Sequence, residues 1–298
     1  MWECCVAWVQ IRFAVNSEYV EDISDLLVEV GSQSVTFTAN DKDEAIFELF
    51  PGDIKYWQTS TVVGLFDAAT EMQHIVDILK DQDMFQGQFN CKIEQVEDKD
   101  WEREWMENFH PIKFGQRLWV CPSWLPIPEP DACNVVLDPG LAFGTGTHAT
   151  TALCMEWLEQ MDLTGKTVLD FGCGSGILAI AALKLGAKRA IGIDIDPKAI
   201  TASQENAERN NVADKIEWYL PEDAPEFETD VILANILAGP LKELKEIICG
   251  YGHTGTELAL SGILAEQGDD VLNAYKDLAD MNPATQQDEW VRLDGVIR

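Results

Sequence analysis

Near the start of the chain, apolar and polar residues alternate with a period of two. Within residues 4–13, Ala7, Val9, Ile11 and Phe13 share one face, the pattern of a strand buried on one side. Ser17 then precedes Val20, Ile23, Leu26, Leu27 and Val30, whose spacing predicts a helix capped by Ser17 and stopped at Gly31. Two β-rich runs, 34–38 and 44–50, flank the polar Asn40-Asp41-Lys42-Asp43 and predict a hairpin. A strand at 61–66, a helix at about 70–82 and a strand at 89–96 follow. This order predicts a ferredoxin-like β-α-β-β-α-β unit with one extra strand, a small N-terminal α+β domain.

The pattern changes at 97–110, where Trp101, Trp105 and Phe109 recur every four residues among charges. On a helix the three rings share one face, which predicts packing against a neighbouring domain rather than stacking on a substrate. Pro111, Pro122, Pro126, Pro128 and Pro130 then punctuate the chain and mark a boundary. The division expected is an N-terminal α/β domain at 1–97, a Trp-rich linker at 98–127 and a larger domain at 128–298. In the larger domain short apolar runs at 135–137, 167–171, 190–193, 216–220, 231–234 and 258–260 alternate with helical segments such as 149–161, 177–185 and 197–210. That alternation predicts a doubly wound, mostly parallel sheet covered on both faces, with 290–293 as an added edge strand. The fold class is therefore α/β with a smaller α+β domain in front.

Composition narrows the function. A length of 298 residues suits two domains, and 46% apolar residues are enough for a sizeable core. The longest apolar run, Ile177 to Leu183, is far shorter than the roughly 20 residues that span a bilayer, so no membrane helix is expected. Met1-Trp2-Glu3-Cys4-Cys5 lacks the features of a secretory signal, so the eight cysteines are expected to sit in a reducing cytoplasm. None forms a C-x-x-C pair, so neither a metal site nor a disulfide framework is indicated. The net charge of −31 disfavours a nucleic-acid substrate and would speed encounter with a basic partner. Acidity that merely keeps the protein soluble is the plainer alternative.

The chemistry concentrates in Val168-Leu169-Asp170-Phe171-Gly172-Cys173-Gly174-Ser175-Gly176-Ile177. A strand runs into three alternate glycines and a helix leaves the last, so the backbone can take positive φ and approach a ligand closely. The dinucleotide fingerprint G-x-G-x-x-G competes, but here the loop is G-x-G-x-G and an acid, Asp170, stands two residues before it. A carboxylate there would repel a pyrophosphate and favour a cationic ligand such as S-adenosylmethionine, which has a sulfonium and an ammonium but no phosphate. Eighteen residues past Gly176, Asp194 ends the next strand, where it can accept hydrogen bonds from ribose hydroxyls. Asp196, before Pro197, is read as a helix N-cap. A second glycine cluster, 140–151, is read as a loop and helix start closing over the ligand, with Thr151 within reach of the cofactor. His148 is expected to position that loop, and Cys173 to fill space.

Asp-Phe-Gly-Cys-Gly-Ser-Gly (170–176) resembles the first motif of class I S-adenosylmethionine methyltransferases. Leu-Asp-Pro-Gly-Leu-Ala-Phe-Gly-Thr-Gly-Thr-His (137–148) and Ala-Asn-Ile-Leu-Ala-Gly-Pro-Leu (234–241) more narrowly resemble the ribosomal protein L11 methyltransferase (PrmA) family, and the resemblance runs through the whole chain in order. It implies a Rossmann-like catalytic domain behind a substrate-recognition domain. Matched by position, Thr151, Gly172, Asp194 and Asn235 would contact S-adenosylmethionine. The implied reaction is N-methylation of lysine side chains and of the N-terminal amine of a large-subunit ribosomal protein, by a monomer that needs neither metal, nucleic acid nor membrane.

Read from its own chemistry, Asn235 ends the strand 230–234 beside the glycine loop, where its carbonyl can accept an N–H from the incoming amine and aim the nitrogen at the methyl group. Asparagine is no base, so the amine's proton is expected to leave to solvent. Ile236 and Leu237 stand where methyltransferases of planar nitrogens carry Pro-Pro, and no Tyr follows to stack on a base. That departure counts against the enzymatic alternative, a nucleic-acid or small-molecule methyltransferase. A binding module of the same fold without activity is the other alternative, and the presence of all four matched positions counts against it.

Overall fold

The computed structural model describes residues 8–39, 59–85, 89–96, 109–138 and 148–298. Two compact units divide the chain, Met1–Glu107 and Asn108–Arg298. Among the described residues no helix is long and apolar enough to cross a membrane.

In the first unit β1 (Trp8–Asn16), α1 (Val20–Glu29), β2 (Ser34–Ala39), β3 (Thr59–Asp67), α2 (Met72–Lys80) and β4 (Cys91–Val96) follow in order. The strands form an antiparallel sheet ordered β2-β3-β1-β4, the ferredoxin-like arrangement. Val9, Ile11, Phe13 and Val15 of β1 are buried with Val20, Ile23 and Leu27 of α1 and Ile75, Val76 and Leu79 of α2. Gly31 ends the α1 segment at φ +97°. Ser17 does not cap α1; it opens a single 3-10 turn at 17–19 that leads into the helix. The second half of the expected hairpin, 44–50, lies outside the described residues, as do Trp101 and Trp105 of the aromatic stripe. Phe109, the third ring, is buried and faces Trp124 at 6.2 Å.

The second unit begins with a three-stranded sheet of β5 (Ile112–Phe114), β6 (Leu118–Cys121) and β7 (Cys133–Val136). Two of these strands arise within the stretch read as linker. β7, expected as the first strand of the large sheet, instead pairs parallel with β6, because an apolar run predicts a strand but not its partner.

The large sheet contains β8 (Thr167–Phe171), β9 (Arg189–Ile193), β10 (Ile216–Tyr219), β11 (Thr229–Asn235), β12 (Gly252–Leu264), β13 (Ala279–Met281), β14 (Thr285–Gln287) and β15 (Trp290–Ile297). Its order is β10-β9-β8-β11-β12-β15-β13, with β14 also on β15; the first five strands are parallel and the last ones antiparallel. The helices are α3 (Ala149–Gln160), α4 (Ile177–Lys184), α5 (Pro197–Arg209), α6 (Ala238–Glu243), α7 (Lys245–Gly250) and α8 (Gly268–Tyr275). Neighbouring strand residues feed opposite layers. Val168, Leu233 and Ala259 pack with α3, α4 and α5, whereas Leu169, Ile232 and Leu258 pack with α6, α7 and α8. The strand at the C-terminus is not an edge strand as expected, since β15 lies between β12 and β13. β13 and β14 are three residues each, and β14 is wholly polar, too little for a periodicity to show.

Candidate functional site

β8 has β9 on one side and β11 on the other, so the strand order reverses at β8. Chains leaving the carboxyl ends of neighbouring strands diverge at such a point and open a crevice, the usual ligand position in a doubly wound sheet.

The loop from β8 to α4 is held by bonds within the protein. Gly172, Gly174 and Gly176 have φ of +76°, +55° and +75°. The Gly172 and Cys173 amides donate to the Ile193 carbonyl at 2.8 and 3.0 Å. From α5, Ser203 Oγ donates to the Gly174 carbonyl (2.9 Å) and Asn206 Nδ2 to that of Ser175 (3.0 Å). At two of the glycines a Cβ would meet a neighbouring side chain. A Cβ at Gly172 would lie 2.2 Å from Ile236 Cγ2, and one at Gly176 would lie 2.4 Å from the Trp218 ring. Neither Ser203, Asn206 nor Trp218 stands out in the sequence, because each acts across the fold. Cys173 is buried, and burial pushes its thiol well above the usual range, as befits a space filler.

Asp170 has a different role from the one its place in the sequence suggests. It is 1% exposed and its Oδ2 accepts the Ala179 amide at 3.1 Å, capping α4 from the strand below because the helix begins at a glycine. Burial, reinforced by the Asp194 carboxylate, pushes its pKa up to about 8. Buried and turned to the Ala179 amide, Asp170 does not present its carboxylate to a ligand, and the accessible carboxylates at the loop are those of Asp194 and Asp196.

This gives a testable pH dependence. The folded chain keeps the Asp170 proton up to about pH 8, whereas an unfolded aspartate releases it near pH 4. Wild-type stability therefore declines between these values as pH rises. Asp170→Asn keeps an oxygen for the Ala179 amide and removes the titration. Its melting temperature relative to wild type should rise steadily from pH 5 to pH 8. A difference that does not vary with pH would mean that Asp170 is ionised in the fold.

Asp194 Oδ2 accepts the Gly174 amide (2.8 Å) and Oδ1 the Asp196 amide (2.9 Å), which fixes the carboxylate at the end of β9 over the loop. Asp196 accepts the Lys198 amide at 2.9 Å ahead of Pro197, so it is the N-cap of α5. Ile195 between them is 84% exposed, an apolar surface beside the carboxylate that no local pattern marks in the sequence.

On the other side of β8, Asn235 ends β11. Its Nδ2 donates to Thr151 Oγ1 at 3.4 Å, and Thr151, in the first turn of α3, is buried. The turn is capped by His148, whose Nδ1 accepts the Thr150 amide and lies 2.8 Å from Thr150 Oγ1, while its ring meets Trp290 edge-on at 4.9 Å. With that nitrogen engaged, His148 positions the helix start. Thus Thr151 and Asn235 meet directly, Gly172 packs on the residue after Asn235, and Asp194 holds the same loop from β9. The rest of the second glycine cluster, 139–147, lies outside the described residues.

Comparison with known proteins gives a consistent picture. The family described as "Ribosomal protein L11 methyltransferase (PrmA)" matches residues 7–298. A ribosomal protein L11 methyltransferase of Escherichia coli O81 (strain ED1a) is 56% identical over 97% of this chain and 98% of its own. One from Vibrio parahaemolyticus serotype O3:K6 is 57% identical with the same coverage. Among solved structures, a ribosomal protein L11 methylase from Lactobacillus delbrueckii subsp. bulgaricus aligns with a TM-score of 0.58 and 33% identity, over 64% of this chain and all of that one.

Proposed function

We propose, from the premise that this chain belongs to the ribosomal protein L11 methyltransferase family, that it transfers methyl groups from S-adenosylmethionine to lysine side chains and the N-terminal amine of ribosomal protein L11. The observation that carries this reading is Asn235. Its amide nitrogen is committed to Thr151 at 3.4 Å, leaving the carbonyl oxygen to accept an N–H from an amine at the crevice.

The residues at the crevice fit the cofactor. Asp194 offers a carboxylate held by two backbone amides, with lone pairs left for ribose hydroxyls. Ile195 offers apolar surface to a base. The loop's own amides Gly172, Cys173 and Gly174 are already bonded within the protein, unlike a loop that cradles phosphate. Bound there, S-adenosylmethionine would supply a methyl group already activated on a sulfonium. Gly172 and Thr151 would bound its site, and Asp194 would fix its ribose.

The work left to the chain is alignment. Asn235 would orient the nitrogen lone pair, and holding two reactants in line accounts for much of the rate in such a displacement. An ammonium must lose a proton first, and its removal from water into the crevice favours the neutral amine. The net charge of −31 would draw in a basic ribosomal protein.

The experiment is transfer of labelled methyl from S-adenosylmethionine into a total extract. Label should appear chiefly in one small ribosomal protein, in a form sensitive to protease and resistant to nuclease. The rate should fall as salt rises past physiological strength, where the screening length is about 8 Å. Label in RNA or in a small molecule would refute the assignment.

A further inference from the structure

Three neighbouring strands each send one donor to the first turns of α3. Asn235 on β11 reaches Thr151 Oγ1. Ser261 on β12, the register partner of Asn235, donates its hydroxyl to the Thr150 carbonyl at 3.0 Å. Arg292 on β15 donates Nη1–H to the Leu153 carbonyl at 2.8 Å. Ser261 is fully buried, and Arg292 and its partner Asp294 are 8% and 9% exposed.

Most polar atoms of the charged pair are hydrogen-bonded. Arg292 Nε and Nη2 donate to Asp294 Oδ1 at 3.1 and 2.9 Å, and Nη2 also reaches Thr285 Oγ1 at 3.0 Å. Asp294 Oδ2 accepts from Asn282 Nδ2 at 2.9 Å. A guanidinium taken out of water is tolerated only when its donors are filled in this way, and hydrophobic residues of similar volume often serve stability as well or better. The carbonyls of Thr150 and Leu153 lie inside a helix, where the amide four residues on already serves them. The bonds from Ser261 and Arg292 are thus not needed to form α3; they fix where it lies on the sheet.

We propose that Ser261 and the Arg292–Asp294 pair are positioning residues for methyl transfer. They hold the start of α3 so that Thr151 keeps the Asn235 amide turned with its carbonyl toward the amine. The inference rests on the function proposed above and adds residues that lie outside the crevice.

The test uses the full chain with Ser261→Ala and with the double variant Arg292→Gln/Asp294→Asn, which removes both charges and leaves no buried ion alone. Each is made in the wild-type and in the Thr151→Ala background. In the wild-type background kcat should fall about tenfold, the scale of a small misplacement, with KM for the ribosomal protein within about twofold. In the Thr151→Ala background the same changes should cause little further loss of kcat or of S-adenosylhomocysteine affinity, because their effect passes through Thr151. Any loss of melting temperature should be equal in both backgrounds. Variants that transfer at the wild-type rate, or losses that add in full to Thr151→Ala, would overturn the inference. A wild-type chain that methylates no protein amine would refute the function itself, and this inference with it.

Discussion

Asn235→Ala should reduce methyl transfer by about a hundredfold or more while S-adenosylhomocysteine affinity changes by only about threefold. The scale is that of removing one aligned polar group whose contact matters in the transition state, and the sign of the split follows from where the two ends of the side chain go. Nδ2 donates to Thr151 at 3.4 Å; Oδ1 has no donor among the described residues and, on the proposed function, would accept from the attacking amine. Truncation removes both, but only the second acts on the reacting nitrogen. The loss should fall on kcat, the signature of an interaction made during transfer rather than in binding. Asn235→Asp is the informative companion. It keeps an acceptor but cannot donate to Thr151 while ionised, so its activity should fall between wild type and alanine. Single-turnover transfer and equilibrium binding on the same preparations separate the two effects. Equal losses of affinity and rate in Asn235→Ala would make it a cofactor-binding residue alone.

Much of this site could be read in the sequence, and the parts that could not share one cause. Asp194, Asn235 and the three loop glycines stand at strand ends, where a short apolar run followed by a polar residue or glycine marks the place by local pattern alone. The N-cap at Asp196 is equally local, since its partner is two residues away. Asp170 is equally visible as an acid before the loop, but its burial and its bond to Ala179 depend on α4 folding back over β8. Ser203, Asn206 and Trp218 shape the loop from about 30 residues away or more. Ser261, Gly262 and Arg292 act from strands whose neighbours no periodicity reveals. The same limit explains the fold-level differences: β7 and β15 were both foreseen as strands, yet their partners follow from the packing of the whole unit. The ferredoxin-like unit was easier to read, since its β1, α1 and α2 each show a clean apolar face.

Gly262→Ala should be the most damaging single-methyl change outside the glycine loop, lowering the melting temperature by roughly 5 °C and transfer by more than about tenfold. Gly262 sits in β12 at φ +83°, where the pairing with β15 shifts register between Leu260 and Ile263. An L-residue held in that conformation costs about 1–2 kcal/mol, and for a domain of this size each kcal/mol moves the midpoint by roughly 2–4 °C. The second cost is steric. A Cβ there would lie 2.3 Å from the Ile236 carbonyl oxygen and 2.8 Å from its carbon. Both atoms are backbone, so no rotamer change relieves the contact and the turn that follows Asn235 must shift. Gly172 leaves little room for that shift, since its own missing Cβ is filled by the Ile236 side chain. The Asn235–Ile236 turn is therefore held between two glycines on the neighbouring β8 and β12 segments. Gly255→Ala is the control: at φ +96° it bears the same conformational strain, but no atom lies within 4 Å of its Cβ. It should lose stability to the extent of the strain alone and keep its transfer rate, measured well below either midpoint. If Gly262→Ala matches Gly255→Ala in both measurements, close packing on Ile236 does not position Asn235, and the alignment must come from the α3 side of the crevice.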